Sequence, residues 1–116
     1  MSQNVEFSDK LLIIKKFKLF MINCESILQN IPKKDFIGRE IFYKECSSTL
    51  ELMFYTNNLK NAEFKQETIA KIIAKISLID FYIERLYKLK HISFKACSKM
   101  INELNEITKM LYGWIK

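Results

Sequence analysis

Apolar residues recur along the chain at helical spacing and divide it into four segments. In the first, over about 8–28, Ile14, Phe17, Met21, Cys24 and Leu28 follow one another at alternating three- and four-residue steps. That spacing holds side chains on one face of an α-helix. Ile13, Phe20 and Ile27 widen the face, and Ser8 is the expected N-cap. Asn30-Ile31-Pro32 ends the segment, because the residue before a proline avoids helical backbone angles. The second segment, about 35–58, has a less regular face: Ile41, Phe42, Cys46, Thr49, Leu50 and Met53. Asn57, Asn58 and Asn61 supply turn chemistry after it. The third, about 63–89, carries the clearest seam, Ile69, Ile72, Ile76, Ile79, Ile83 and Leu86. These residues are mostly β-branched, but a helical period outweighs propensity. The fourth, about 93–115, opens with Ser93 as N-cap and repeats the spacing through Cys97, Met100, Leu104, Ile107, Leu111 and Trp114.

Short connections between successive helices predict antiparallel neighbours. The fold expected is therefore all-α: a single domain over 1–116, folded as an antiparallel up-down-up-down four-helix bundle. Leu12 and Leu19 on the first helix lie off the main seams, as do Leu78, Phe81, Tyr82 and Leu89 on the third. They are either the margins of wide core faces or a subunit interface.

Composition agrees with helices. Hydrophobic residues are 49% of the chain, enough for a core without disulfides or metals, and there are only 2 Gly and 1 Pro to interrupt it. The 3 cysteines, Cys24, Cys46 and Cys97, form no CxxC or Cys/His pattern. An odd, scattered set on apolar stripes reads as small hydrophobes in a reducing compartment. No segment is apolar and long enough to span a bilayer. The N-terminal apolar run is broken by Lys15, Lys16 and Lys18, unlike a signal peptide, so a cytoplasmic location is expected.

The formal net charge of +6 changes the picture more. It points to a polyanionic partner: nucleic acid, an acidic protein or an anionic membrane surface. Enzymatic readings find little support, since there is no phosphate-binding glycine loop, no HExxH and no Glu-x-x-His pair. No cofactor, metal or catalytic residue is expected. His91 is the single histidine, and it reads as an exposed loop residue or a phosphate contact rather than a base. Asp80, beside the third seam, could be a buried functional acid, but the expected role is structural, paired with a Lys or Arg of a neighbouring helix.

The positive charge is concentrated. The turn between helices one and two carries Lys33 and Lys34, with Arg39 a turn further on. The turn between helices three and four carries Arg85, Lys88, Lys90, His91, Lys95 and Lys99, and no acid occurs from Arg85 to Lys99. In an antiparallel bundle these turns share one pole, while Glu63 and Glu67 lie at the other, about 33 Å away. Arg85 and Lys88 are expected to project outward. Lysine suits backbone contacts more than base reading, and only two arginines are present. The nucleic-acid-binding residues expected are thus Lys33, Lys34, Arg39, Arg85, Lys88, Lys90, His91 and Lys95. Lys10, Lys15, Lys16 and Lys18 form a second basic set on the first helix. That set could extend a nucleic-acid track, and a basic amphipathic helix could also lie on a membrane, but its apolar face is needed for the core, so no membrane partner is expected.

Ile31-Pro32-Lys33-Lys34 followed by Gly38-Arg39 resembles the junction between helices one and two in a bacterial four-helix-bundle family. The C-terminal stretches Leu89-Lys90-His91-Ile92-Ser93, Glu103-Leu104-Asn105-Glu106-Ile107 and Lys109-Met110-Leu111-Tyr112-Gly113-Trp114-Ile115-Lys116 resemble it more strongly. The family comprises the accessory variability determinant (Avd) proteins of diversity-generating retroelements and proteins encoded in intervening sequences of 23S ribosomal RNA. The sequence is closer to the Avd branch. Phe54-Tyr55-Thr56-Asn57-Asn58 stands where the intervening-sequence branch has an Asn-Ile-Ala-Glu-Gly-like segment. This resemblance implies a homopentamer of bundles, partnership with a reverse transcriptase, and binding of RNA or DNA during mutagenic retrohoming, with the chemistry left to the polymerase. The chain departs from the Avd branch in favouring lysine over arginine. The alternatives are a helical adaptor for an acidic protein and an intervening-sequence-type protein binding ribosomal RNA.

Overall fold

A computed structural model describes the backbone of residues 2–115 and the side chains of residues 12–114. The described chain is helical, with no strand: α1 Ser2–Leu28, α2 Phe42–Asn58, α3 Ala62–Lys88 and α4 Phe94–Ile115. A π-helical turn, Ile37–Ile41, leads into α2. α1 packs against α2 and α4, and α3 packs against α2 and α4. The four helices thus enclose one core, in a body of 45 × 27 × 18 Å.

The core is made by the seams. Ile13, Ile14, Phe17, Phe20, Met21, Cys24 and Leu28 are buried from α1, and Phe42, Cys46 and Met53 from α2. All six seam residues of α3, Ile69 through Leu86, are buried, and so are Cys97, Met100, Leu104, Ile107 and Leu111 of α4. Trp114, at the end of the α4 seam, is only partly buried against this cluster. The three cysteines are free thiols in the apolar interior. Burial pushes the Cys46 thiol up to about 12 and raises those of Cys24 and Cys97 as well, which keeps them protonated and inert.

Helix ends follow from local chemistry. Asn61 caps α3, its side-chain oxygen accepting from Phe64 N–H at 3.1 Å. Ser93 caps α4 in the same way, accepting from Ala96 N–H at 3.0 Å. At the end of α1 the hydrogen bonds tighten to Asn30 N–H to Ile27 O and Ile31 N–H to Leu28 O, both 3.1 Å, before Pro32 stops the helix. α1 starts at Ser2, so Ser8 lies within the helix and not at its start. The side chains of Ser8 and Lys10 fall outside the described residues.

The C-terminus of α3 is a Schellman turn. His91 N–H donates to Leu86 O and Lys90 N–H to Tyr87 O, each at 2.9 Å. The residue that reverses the chain is Lys90, at φ 63°, where glycine is the usual choice. Lys90→Gly should therefore raise the unfolding free energy by about 0.5–1 kcal/mol, read as a higher urea midpoint at unchanged m-value.

A buried hydroxyl pair crosses between α2 and α3 near their connection. Thr56 Oγ1 lies 2.8 Å from Thr68 Oγ1, and the two hydroxyls also reach Leu52 O and Lys65 O of their own helices. Asp80 differs from expectation. Its carboxylate meets no lysine or arginine among the described residues, and its Oδ1 is buried without a partner. Desolvation, helped by Glu84 one turn on, raises its pKa. The nearest charge along its own helix is thus another acid.

Candidate nucleic-acid interface

The two basic turns meet through an acid. Asp35 is the N-cap of the helix that begins at Phe36, and its Oδ1 accepts from Gly38 N–H at 3.0 Å. Both carboxylate oxygens also take the Arg85 guanidinium, Nη2 to Oδ1 at 2.8 Å and Nη1 to Oδ2 at 3.1 Å. This is the two-pronged geometry that makes such pairs strong. His91 Nδ1 stands 2.9 Å from Oδ2, an ion pair when the imidazole is protonated. The Asp35 side chain is only 7% exposed. Its pKa is lowered to about 2, first by the Arg85 hydrogen bonds, against the opposing effect of desolvation. One carboxylate thus fastens the start of the second helical segment to the end of α3 and to the turn beyond it.

Gly38 makes this close approach possible. A Cβ there would lie 2.5 Å from Asp35 Oδ2 and 2.8 Å from Leu86 Cδ2, so any side chain would displace the carboxylate or the core leucine. The π-helical turn at Ile37–Ile41 surrounds this glycine.

The eight expected residues separate into two groups. Lys33, Lys34, Lys88, Lys90 and Lys95 are exposed. None of the five forms an ion pair among the described residues. Arg85 and His91 are 22% and 20% exposed and turn inward onto Asp35. The outward Arg85 and loop-exposed His91 read from the sequence are therefore corrected: Arg85 is held by the buried carboxylate, and His91 is tucked beside it. Arg39 is half-buried and lines an open depression with Glu25 and Glu40, two acids that offset its charge. The free positive charge at this end is carried by lysine.

The second basic set is partly occupied. Lys16 pairs with Glu106 of α4, and the Lys18 ammonium lies 5.3 Å from the centre of the Phe54 ring. Lys15 is exposed.

Sequence reading missed Asp35 as the hub of this end. The signal available was an acid placed three residues before a glycine at a helix start, inside a basic stretch. It also passed over the exposed rings beside the lysines: Phe36 at 61%, Tyr87 at 39% and Phe94 at 67% exposure. Among the described residues no group of acids, cysteines and histidine is arranged to hold a metal ion, and no helix is long and apolar enough to cross a membrane. No protein-family model, curated protein or solved structure matches the chain.

Proposed function

We propose that this chain is a non-enzymatic accessory protein of a diversity-generating retroelement. It binds nucleic acid through its basic pole and partners the reverse transcriptase during mutagenic retrohoming in the cytoplasm. The bundle is antiparallel, up-down-up-down, in keeping with short connections and with each helix packing on its chain neighbours. The observation that carries the reading is the set of unpaired lysines, Lys33, Lys34, Lys88, Lys90 and Lys95, on two turns joined through Asp35. Such a surface neutralises phosphates without demanding base geometry.

Assembly into a homopentamer follows the resemblance to the Avd branch. Association itself is supported by exposed apolar side chains outside the two basic turns: Leu12 at 42%, Leu19 at 56%, Ile22 at 60% and Phe81 at 56%. Subunits aligned in parallel would place their poles in a ring and engage one polyanion several times over.

The test is a salt titration of binding to a labelled single-stranded RNA, beside poly-glutamate as an acidic-protein mimic. Five lysine contacts per subunit predict a slope of log K against log salt near −3.5, from about 0.7 counterions released per contact. Sedimentation at micromolar concentration should show one species several times the 13.8 kDa monomer. A shallow slope, with poly-glutamate preferred over RNA, would establish the adaptor reading instead.

A further inference from the structure

Two aromatic rings bracket the turn between α3 and α4. Tyr87 and Phe94 meet with ring centroids 5.7 Å apart and an interplanar angle of 63°. Both are exposed, at 39% and 67%, so neither ring is spent on the core. An edge-to-face pair supports each ring while leaving aromatic surface open. Each ring has a lysine beside it in sequence: Lys88 follows Tyr87 and Lys95 follows Phe94, with Lys90 in the turn between. An apolar ring left in water next to unpaired cations fits a partner that is both planar and anionic.

The geometry points to a base-stacking site for single-stranded nucleic acid at Tyr87 and Phe94, with Lys88, Lys90 and Lys95 on the adjoining phosphates. The inference rests on the nucleic-acid reading above and narrows it from polyanions at large to unpaired strands. Bases in a duplex have their faces covered by neighbours, whereas a single strand offers them to aromatic side chains. An acidic peptide would satisfy the charge but brings no base to stack. A two-fold contact with a second copy of this chain would set Lys88, Lys90 and Lys95 against their own equivalents, which disfavours dimerisation through this surface.

The test compares three labelled oligonucleotides with equal numbers of phosphates: single-stranded oligothymidylate, the same strand made abasic, and a duplex. Stacking predicts that the wild-type protein binds oligothymidylate about 5- to 150-fold more tightly than the abasic strand for each base engaged. Phe94→Leu should bring that ratio toward one, leaving abasic-strand affinity and the salt slope unchanged. Phe94→Trp should preserve or increase the ratio, and this guards against a folding defect in the leucine variant. Equal binding of the two single strands by the wild type overturns the stacking site while leaving the basic-pole function standing. Binding of none of the three overturns both. A Phe94→Leu variant that sediments at a different size would make these rings a subunit contact and also overturn the proposal.

Discussion

Asp35→Ala should lower the unfolding free energy by about 3 kcal/mol, measured by urea denaturation at neutral pH. Loss of a helix cap alone costs about 1 kcal/mol. The larger part comes from leaving the Arg85 guanidinium, 22% exposed, without its counter-ion. Asp35→Asn retains an acceptor for Gly38 N–H and should recover about 1 kcal/mol of the loss. A double variant, Asp35→Ala with Arg85→Met, should be less destabilised than the sum of the single variants, because it removes the stranded charge as well. The pH dependence has a definite sign. Asp35 is lowered from 3.8 to about 2 in the folded state, so its contribution is present above about pH 4 and is lost as pH falls through 2. The stability difference between wild type and Asp35→Ala should shrink across that window. An unchanged difference down to pH 2 would mean that the ion pair does not hold the pole together.

Replacing Lys33, Lys34, Lys88, Lys90 and Lys95 with Gln should leave helicity and sedimentation unchanged and remove most RNA affinity at low salt. Five contacts, each releasing about 0.7 counterion, correspond to an affinity change of about 100-fold between 50 and 200 mM salt. The variant should lose that dependence, so the two proteins differ most in dilute buffer and converge as salt rises. Arg85 is excluded from this set because it is fastened to Asp35. A variant there would confuse loss of fold with loss of binding. Lys15→Gln with Lys18→Gln is the control on α1, leaving the Lys16–Glu106 pair intact. If the control abolishes binding while the pole variant binds normally, the first helix carries the site.

The sequence is informative in proportion to how far each feature depends on local period. The α3 seam is read off directly, since isoleucines at steps of three and four can share a face only on a helix, and all are buried. Asn61 and Ser93 cap as their side-chain chemistry and position suggest. The second segment looked irregular for a physical reason. A π-helical turn at Ile37–Ile41 carries more residues than an α-turn, so side chains before and after it fall out of phase. Ile37 and Ile41 therefore do not extend the face that buries Phe42, Cys46 and Met53. The pole was legible as a concentration of charge. The division of its cations was not, because residues 35 and 85 meet across fifty positions of chain, and no local pattern announces a contact of that separation.

The two ends of the α2–α3 pair are fastened by different chemistry. At one end an arginine grips a carboxylate, and at the other Thr56 and Thr68 share an uncharged hydrogen bond. Acid acts on the first and leaves the second untouched, so the molecule has a built-in direction of opening. Below about pH 4, where Asp35 begins to take up its proton, amide protection relative to unstructured peptide would fall first in the turns at 32–38 and 89–93, while the amides around Thr56 and Thr68 keep theirs. Opening of this kind is partial: strands of contact release at one end while the rest of the core remains closed. The end that loosens is the one bearing the free lysines, so its shape can vary at little cost to the remainder of the fold.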